Sequence, residues 1–169
     1  DAPRHARRRD RSRSRAAAAN GASGEALSYL LDTNVVSELR KRERQDPSLA
    51  AWFSTVEGDD LYLSVLVVAE IRSGIEKVRR RDPAAAAGLE GWLGALVASH
   101  GERILPVDLR VAEEWGRLSA RRSLPVVDGL MAATALVHGL TLVTRNAKNV
   151  AGTGAVVLDP FVRAKRGAQ

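Results

Sequence analysis

Residues 125–146, PVVDGLMAATALVHGLTLVTRN, hold the stretch whose reading decides the fold. The helical run Gly129–His138 stops at Gly139, a residue that readily takes the left-handed turn closing a helix. A short apolar run follows at once, Thr141–Thr144, with the length of a strand. Working outward, the same alternation recurs. Strands are expected at Ser28–Leu31, Leu61–Ser64, Arg103–Pro106, Thr141–Thr144 and Ala155–Leu158. Helices are expected at Val35–Lys41, Pro47–Val56, Val65–Arg80, Pro83–Ser99, Leu109–Arg121 and Gly129–His138. Asp46-Pro47 and Asp82-Pro83 each pair a capping acceptor with a Pro in the first turn. In Leu109–Arg121, Ala112, Trp115 and Leu118 share one face, with Glu113 and Arg117 paired on the outside. Alternation of this kind predicts an α/β domain with a mainly parallel sheet. No internal repeat is visible.

Three acidic residues interrupt the apolar runs: Asp32 in YLLDTN, Glu70 in LVVAEIRSG and Asp128 in LPVVDGLMAAT. None has a cation three or four positions away on its own element. Around Glu70 those neighbours are Leu66, Val67, Ser73 and Gly74; after Asp128 they are Met131 and Ala132. An unpaired carboxylate in or near an apolar interior costs several kcal/mol, very roughly. The balancing charge is therefore a distant Arg or Lys, or a bound divalent cation. Asp32 ends the first strand and Thr144-Arg145-Asn146 ends the fourth, on the rim where open α/β sheets collect ligands. Asp128 begins a helix, where the dipole favours an anion and an N-cap is the structural alternative. Glu70 stands about two turns into its helix, and Gly74, one turn on, leaves room for a substrate backbone.

Each acid alone admits a structural role. Together, three unpaired acids following three strand–helix units suggest a shared pocket for a hard ion such as Mg²⁺ or Mn²⁺. Such an ion lowers the pKa of a water and neutralises a scissile phosphate, while Thr144 and Asn146 can hydrogen-bond that water or a phosphate oxygen. Metal-assisted phosphodiester hydrolysis is the matching reaction class.

Composition removes competing chemistries. The 169 residues contain no Cys, which excludes disulfides and thiolate metal sites. His5, His100 and His138 are too scattered for a familiar zinc spacing, and His138 suits a helix C-terminus as an imidazolium. No apolar run approaches a membrane span or a secretory signal, so a cytoplasmic location is expected. Seven Arg against three acids in residues 1–26 supply most of the net +6. This segment lacks bulky apolar residues, and we expect a disordered Arg-rich tail or a start-site extension, an RNA-tethering arm being the functional alternative.

The segments LLDTNVVSEL, SVLVVAEIRSGI and PVVDGLMAATALVHGLTLVTRNAKNV resemble the PIN-domain ribonucleases, most closely the VapC- and FitB-like toxins of type II toxin–antitoxin pairs. The resemblance runs from about Tyr29 to Phe161. It implies a three-layer α/β/α domain over residues 27–162, with a central sheet of four to five strands, followed by a basic tail at 163–169. It implies Asp32, Glu70 and Asp128 as catalytic, metal-binding acids for Mg²⁺ or Mn²⁺, with Asn34 as a supporting residue. Where the family often carries a fourth acid this chain has Asn149, so one tightly held ion is the expectation. The implied partners are an RNA substrate, a small cognate antitoxin and a second copy in a homodimer, with larger toxin–antitoxin assemblies. Leu39, Trp52, Phe53 and Trp92 are candidates for an antitoxin groove or for plain core packing. Arg40–Arg44 and Arg79–Arg81 are candidates for RNA phosphates or for solvated helix ends. Two other readings remain. An aspartyl phosphatase usually needs a second Asp at position 34, here Asn34; a non-catalytic RNA- or protein-binding module draws support from Asn149.

Overall fold

Five short apolar runs pair into one sheet, and Asp32, Ser64 and Asp108 cap the helices that follow the first three runs and turn the chain back across it. The computed structural model describes residues 27–162; the expected terminal tails lie outside the described residues. Strand β1 (Tyr29–Leu31) leads into α1 (Thr33–Leu39) and α2 (Pro47–Phe53). Strand β2 (Leu61–Ser64) leads into α3 (Val65–Arg79) and α4 (Pro83–His100), and β3 (Ile104–Leu105) into α5 (Leu109–Arg121) and α6 (Val126–His138). Strand β4 (Thr141–Val143) is followed by α7 (Ala147–Val150) and β5 (Val157–Leu158). The sheet order is β3-β2-β1-β4-β5, and every pair is parallel. This is the expected three-layer α/β/α architecture with five strands.

Parallel strands need crossover connections, and those helices cover the sheet. The strands are accordingly mostly apolar: Leu30, Leu63, Leu142 and Val143 are buried, and Val35, Val67, Ile75 and Val111 of the helices are buried with them. Asp46 caps α2 by accepting from the Ser48 and Leu49 amides at 2.8 and 3.2 Å, and Asp82 caps α4 through Ala85 N at 2.9 Å. Gly139 closes α6 at φ 65°, in the left-handed region. The chain steps outward from β1 through β2 to β3, then returns to lay β4 on the other side of β1. The order reverses between β1 and β4, so connections leave their carboxyl ends in opposite directions and a crevice opens there.

Several boundaries move from expectation. Helix α1 begins at Thr33, two residues early, because Asp32 accepts from the Thr33 amide and acts as its cap. Helix α6 begins at Val126, with Pro125 as N-cap, so Asp128 is an acid of the first turn and not the cap. The edge strands shrink to two residues each: Arg103 belongs to a 3-10 turn, and of the residues before Val157 only the Val156 carbonyl reaches β4, accepting from Leu142 N at 2.8 Å. Helix α7 was not expected. On α5 the inward face carries Val111, Trp115 and Leu118, while Ala112 is exposed; the Glu113–Arg117 pair is present at 3.7 Å. His138 also departs from its expected role. Burial holds its imidazole below the usual range, with Arg110 pushing the same way and Asp108 opposing, so it is not a cation tuned to the helix end.

Candidate active site

Asp32 is the buried acid, 7% exposed at the carboxyl end of β1. Its backbone amide donates to Val143 O at 3.0 Å, which extends the β1–β4 pairing and pins Asp32 in the crevice. Its Oδ1 accepts from the Thr33 amide at 2.7 Å. Its Oδ2 accepts from Asn34 Nδ2 and from Thr144 Oγ1, both at 2.6 Å. The surrounding donors are themselves held. Asn34 Oδ1 accepts from the Arg145 amide at 3.1 Å, and Thr144 Oγ1 accepts from the Asn146 amide at 2.9 Å. Thr144, expected to face a water or a phosphate, is buried and committed to Asp32. Asn146 serves through its backbone, and its side chain makes no cap bond to α7.

The other two acids lie around this centre. Glu70, on α3, is exposed, against the expectation of an apolar surrounding, and accepts a hydrogen bond from Thr33 Oγ1. Asp128, in the first turn of α6, is half-buried, and its Oδ2 accepts from Asn149 Nδ2 at 2.9 Å. Burial pushes the Asp32 carboxyl above its ordinary range; hydrogen bonds from Thr144 and Thr33 oppose this, and the charges of Glu70 and Asp128 add to it. Three remote segments thus bring three acids into one electrostatic field. They are not drawn together to metal-holding spacing: among the described residues no group of three His, Cys, Asp or Glu side chains reaches it. Glu70 and Asp128 turn instead onto Thr33 and Asn149.

Whether the site suits a hard cation can be judged from its donors. All three acids offer carboxylate oxygens, and among the described residues none forms an ion pair within 4.0 Å. A buried carboxylate raised by burial and by two acidic neighbours is what a divalent ion relieves. The donor chemistry suits a hard cation such as Mg²⁺ or Mn²⁺, while the spacing of the three acids is wider than such an ion needs.

The sequence model of the PIN domain family matches residues 29–151. This chain belongs to the PIN-domain family. It is 33% identical over 139 residues to the VapC ribonuclease Y4jK of Sinorhizobium fredii, covering 78% of this chain and 96% of that protein. It is 32% identical to the toxin FitB of Neisseria gonorrhoeae over 78% of this chain and 97% of FitB. The crystal structure of FitAcB from Neisseria gonorrhoeae superposes with a TM-score of 0.71 at 30% identity, covering 79% of this chain and 98% of that one. The structure of FitAB bound to the IR36 DNA fragment gives 0.73 at 28% identity, covering 82% and 99%.

Two roles in this PIN domain escaped the sequence reading, that of Thr33 and the contact Trp115 makes beyond its own helix. Thr33 links the cap of α1 to Glu70; its place between Asp32 and Asn34 was the available signal. Trp115 of α5 packs on Gly129, where an added Cβ would meet the indole Cδ1 at 3.1 Å. Gly129 follows Asp128, so this contact sets how closely α5 approaches the first turn that carries the acid. No sequence signal pairs those two positions.

The wider surface partly follows expectation. A groove of about 220 Å³ is lined by Leu39, Phe53 and Trp92 with Leu96 and His100. Trp52 is not part of it, because its ring packs edge-on against Tyr29 at 5.3 Å. Arg40 lies over Trp92 at 5.6 Å. Arg79 is not free for phosphate: it pairs with Glu76 at 3.1 Å and Glu90 at 2.7 Å. Gly74 is exposed, with nothing within 4 Å of an added Cβ. No helix among the described residues is long and apolar enough to cross a membrane.

Proposed function

We propose that this PIN domain is the toxin of a toxin–antitoxin pair and acts as a metal-dependent endoribonuclease. The observation that carries the reading is Asp32: a buried carboxylate without a cationic partner among the described residues, raised by burial and by Glu70 and Asp128. Asp32, Glu70 and Asp128 would hold Mg²⁺ or Mn²⁺. When bound, the ion supplies charge neutralisation at the phosphate and a water acidic enough to act as nucleophile near neutral pH. The chain's own residues do the positioning. Asn34, Thr144 and the Thr33 amide fix both oxygens of Asp32. Thr33 and Asn149 orient Glu70 and Asp128. Family membership and the similarity to a VapC ribonuclease and to the toxin FitB support RNA as substrate.

A cognate antitoxin is the partner we infer, since similar solved structures include FitAB and FitAcB. We assign it the groove of Leu39, Phe53 and Trp92, and a homodimer as the assembled form. Incubation of labelled RNA with Mg²⁺ or Mn²⁺ should give discrete internal cuts, lost in Asp32→Asn and Asp128→Asn. Uncut RNA under all metal conditions would overturn the enzymatic reading. A non-catalytic RNA- or protein-binding module is the second reading, favoured by the neutral Asn149 on Asp128 and by the spread of the three acids. Metal-indifferent RNA binding without cleavage is its signature. An aspartyl phosphatase is disfavoured because position 34 is an Asn whose amide is spent on Asp32.

A further inference from the structure

Arg145 follows Thr144 at the carboxyl end of β4, and its side chain is exposed on the rim that holds the acids. Two contacts restrain it. Its backbone amide donates to Asn34 Oδ1 at 3.1 Å, and the same Asn34 donates to Asp32 at 2.6 Å. Its guanidinium carbon lies 3.8 Å from the centroid of the Phe161 ring. Contact that close places the planar cation against the ring face, where the aromatic quadrupole attracts it. Elsewhere on the domain Arg72, Arg79, Arg103, Arg110, Arg117 and Lys41 form ion pairs with acids, while Lys148 on the following helix, like Arg145, forms none within 4.0 Å among the described residues.

A guanidinium stacked on an aromatic face loses rotamer freedom but keeps its N–H donors, which lie at the edge of its plane. Such a group is pre-oriented for a planar or tetrahedral oxyanion. Its backbone also stands one residue from the hydroxyl that fixes Asp32, on the same rim of the sheet. We infer that Arg145, held by Phe161, is the substrate-binding residue that takes an RNA backbone phosphate next to the acids. The inference rests on the nuclease reading and adds to it a cation that the three acids lack. A positive group on the rim favours approach of a negative polymer to a triply acidic site.

The test uses the full chain, with fluorescence anisotropy of a short single-stranded RNA in EDTA and cleavage kinetics of the same RNA in Mg²⁺. For Arg145→Ala and Arg145→Gln, KM should rise on the order of ten-fold with kcat within about two-fold, the signature of lost substrate binding. The slope of log affinity against log salt should fall in magnitude by about 0.7, one single-strand phosphate contact. Arg145→Lys should keep that slope while recovering only part of the KM. Phe161→Leu should raise KM less than Arg145→Ala, by freeing the guanidinium without removing its charge. Melting temperatures check that each variant is folded. Unchanged KM and salt slope in folded Arg145 variants, with wild type still cleaving, would overturn this inference alone and leave Arg145 a fastener for the segment around Phe161. A wild type that neither holds the RNA in EDTA nor cuts it in Mg²⁺ would overturn the nuclease reading and this inference with it.

Discussion

Thr144, at the end of β4, donates its hydroxyl to Oδ2 of Asp32, at the end of β1, across 2.6 Å. The bond spans the reversal in strand order and sets one lobe of the carboxylate. Thr144→Val keeps the shape and removes the donor. A hydrogen bond to a charged group contributes about 1.5–3 kcal/mol, so kcat/KM for RNA should fall roughly 10- to 100-fold. Thr144→Ser should restore most of it. Cleavage by the Val variant at the wild-type rate would show that this hydroxyl does not serve Asp32.

Gly129 lets Trp115 reach the first turn of α6. In Gly129→Ala the new methyl meets the ring at 3.1 Å, and either the indole or the turn must give. Overpacking costs about 1–3 kcal/mol, offset by about 1 kcal/mol of helix propensity. A modest net loss in urea unfolding is expected, together with weaker Mn²⁺ binding, because Asp128 moves with the turn. Titration calorimetry separates the two effects, and full Mn²⁺ affinity in this variant would disconnect Trp115 from the site.

Divalent ions should stabilise the protein. At a concentration one hundred times its dissociation constant, an ion bound only by the folded chain adds about 2.7 kcal/mol. Melting temperature should climb with Mn²⁺ in wild type and stay flat in Asp128→Asn. A wild-type melting curve indifferent to Mn²⁺ and Mg²⁺ would remove the metal from the mechanism.

His138 and His100 predict a pH dependence of stability. Burial is the main cause in both, and it lowers their folded-state values below the ordinary imidazole value of about 6.5. The unfolded chain therefore takes up protons first as pH falls, so stability is full above about 6.5 and is lost as pH drops below it toward the folded values. His138 has the sharper claim, since its Nε2 is buried without a hydrogen-bond partner. His138→Leu should flatten the decline between neutral pH and about 5.5, measured by urea unfolding. An unaltered slope would place the acid sensitivity elsewhere.

Much of the candidate site was legible because formal charge interrupts apolar sequence there, even where, as at Glu70, the side chain proves exposed. Asp32, Glu70 and Asp128 each interrupt an apolar run without a local counter-charge, and pattern alone exposes that. The Asp-Pro pairs before α2 and α4 and the Gly139 stop after α6 were equally local signals, since capping depends on the residue at the cap itself. Thr144 was found but misread. Sequence shows a polar residue on the correct rim, yet whether its hydroxyl faces solvent or Asp32 depends on the β1–β4 register. Asp128 shows the same limit on a smaller scale, because Pro125 starts α6 one turn before the acid.

Sequence by itself determined the strand–helix alternation, the three acids and the neutral Asn149, because hydropathy period and formal charge belong to residues taken one at a time. Tertiary structure decided the rest. It set β1 beside β4, exposed Glu70 while burying Asp32, seated Trp115 on Gly129 and laid Arg145 over Phe161. Those pairings join residues far apart in the chain, and their energies come from packing and from charges acting through space, neither of which exists until the sheet has closed.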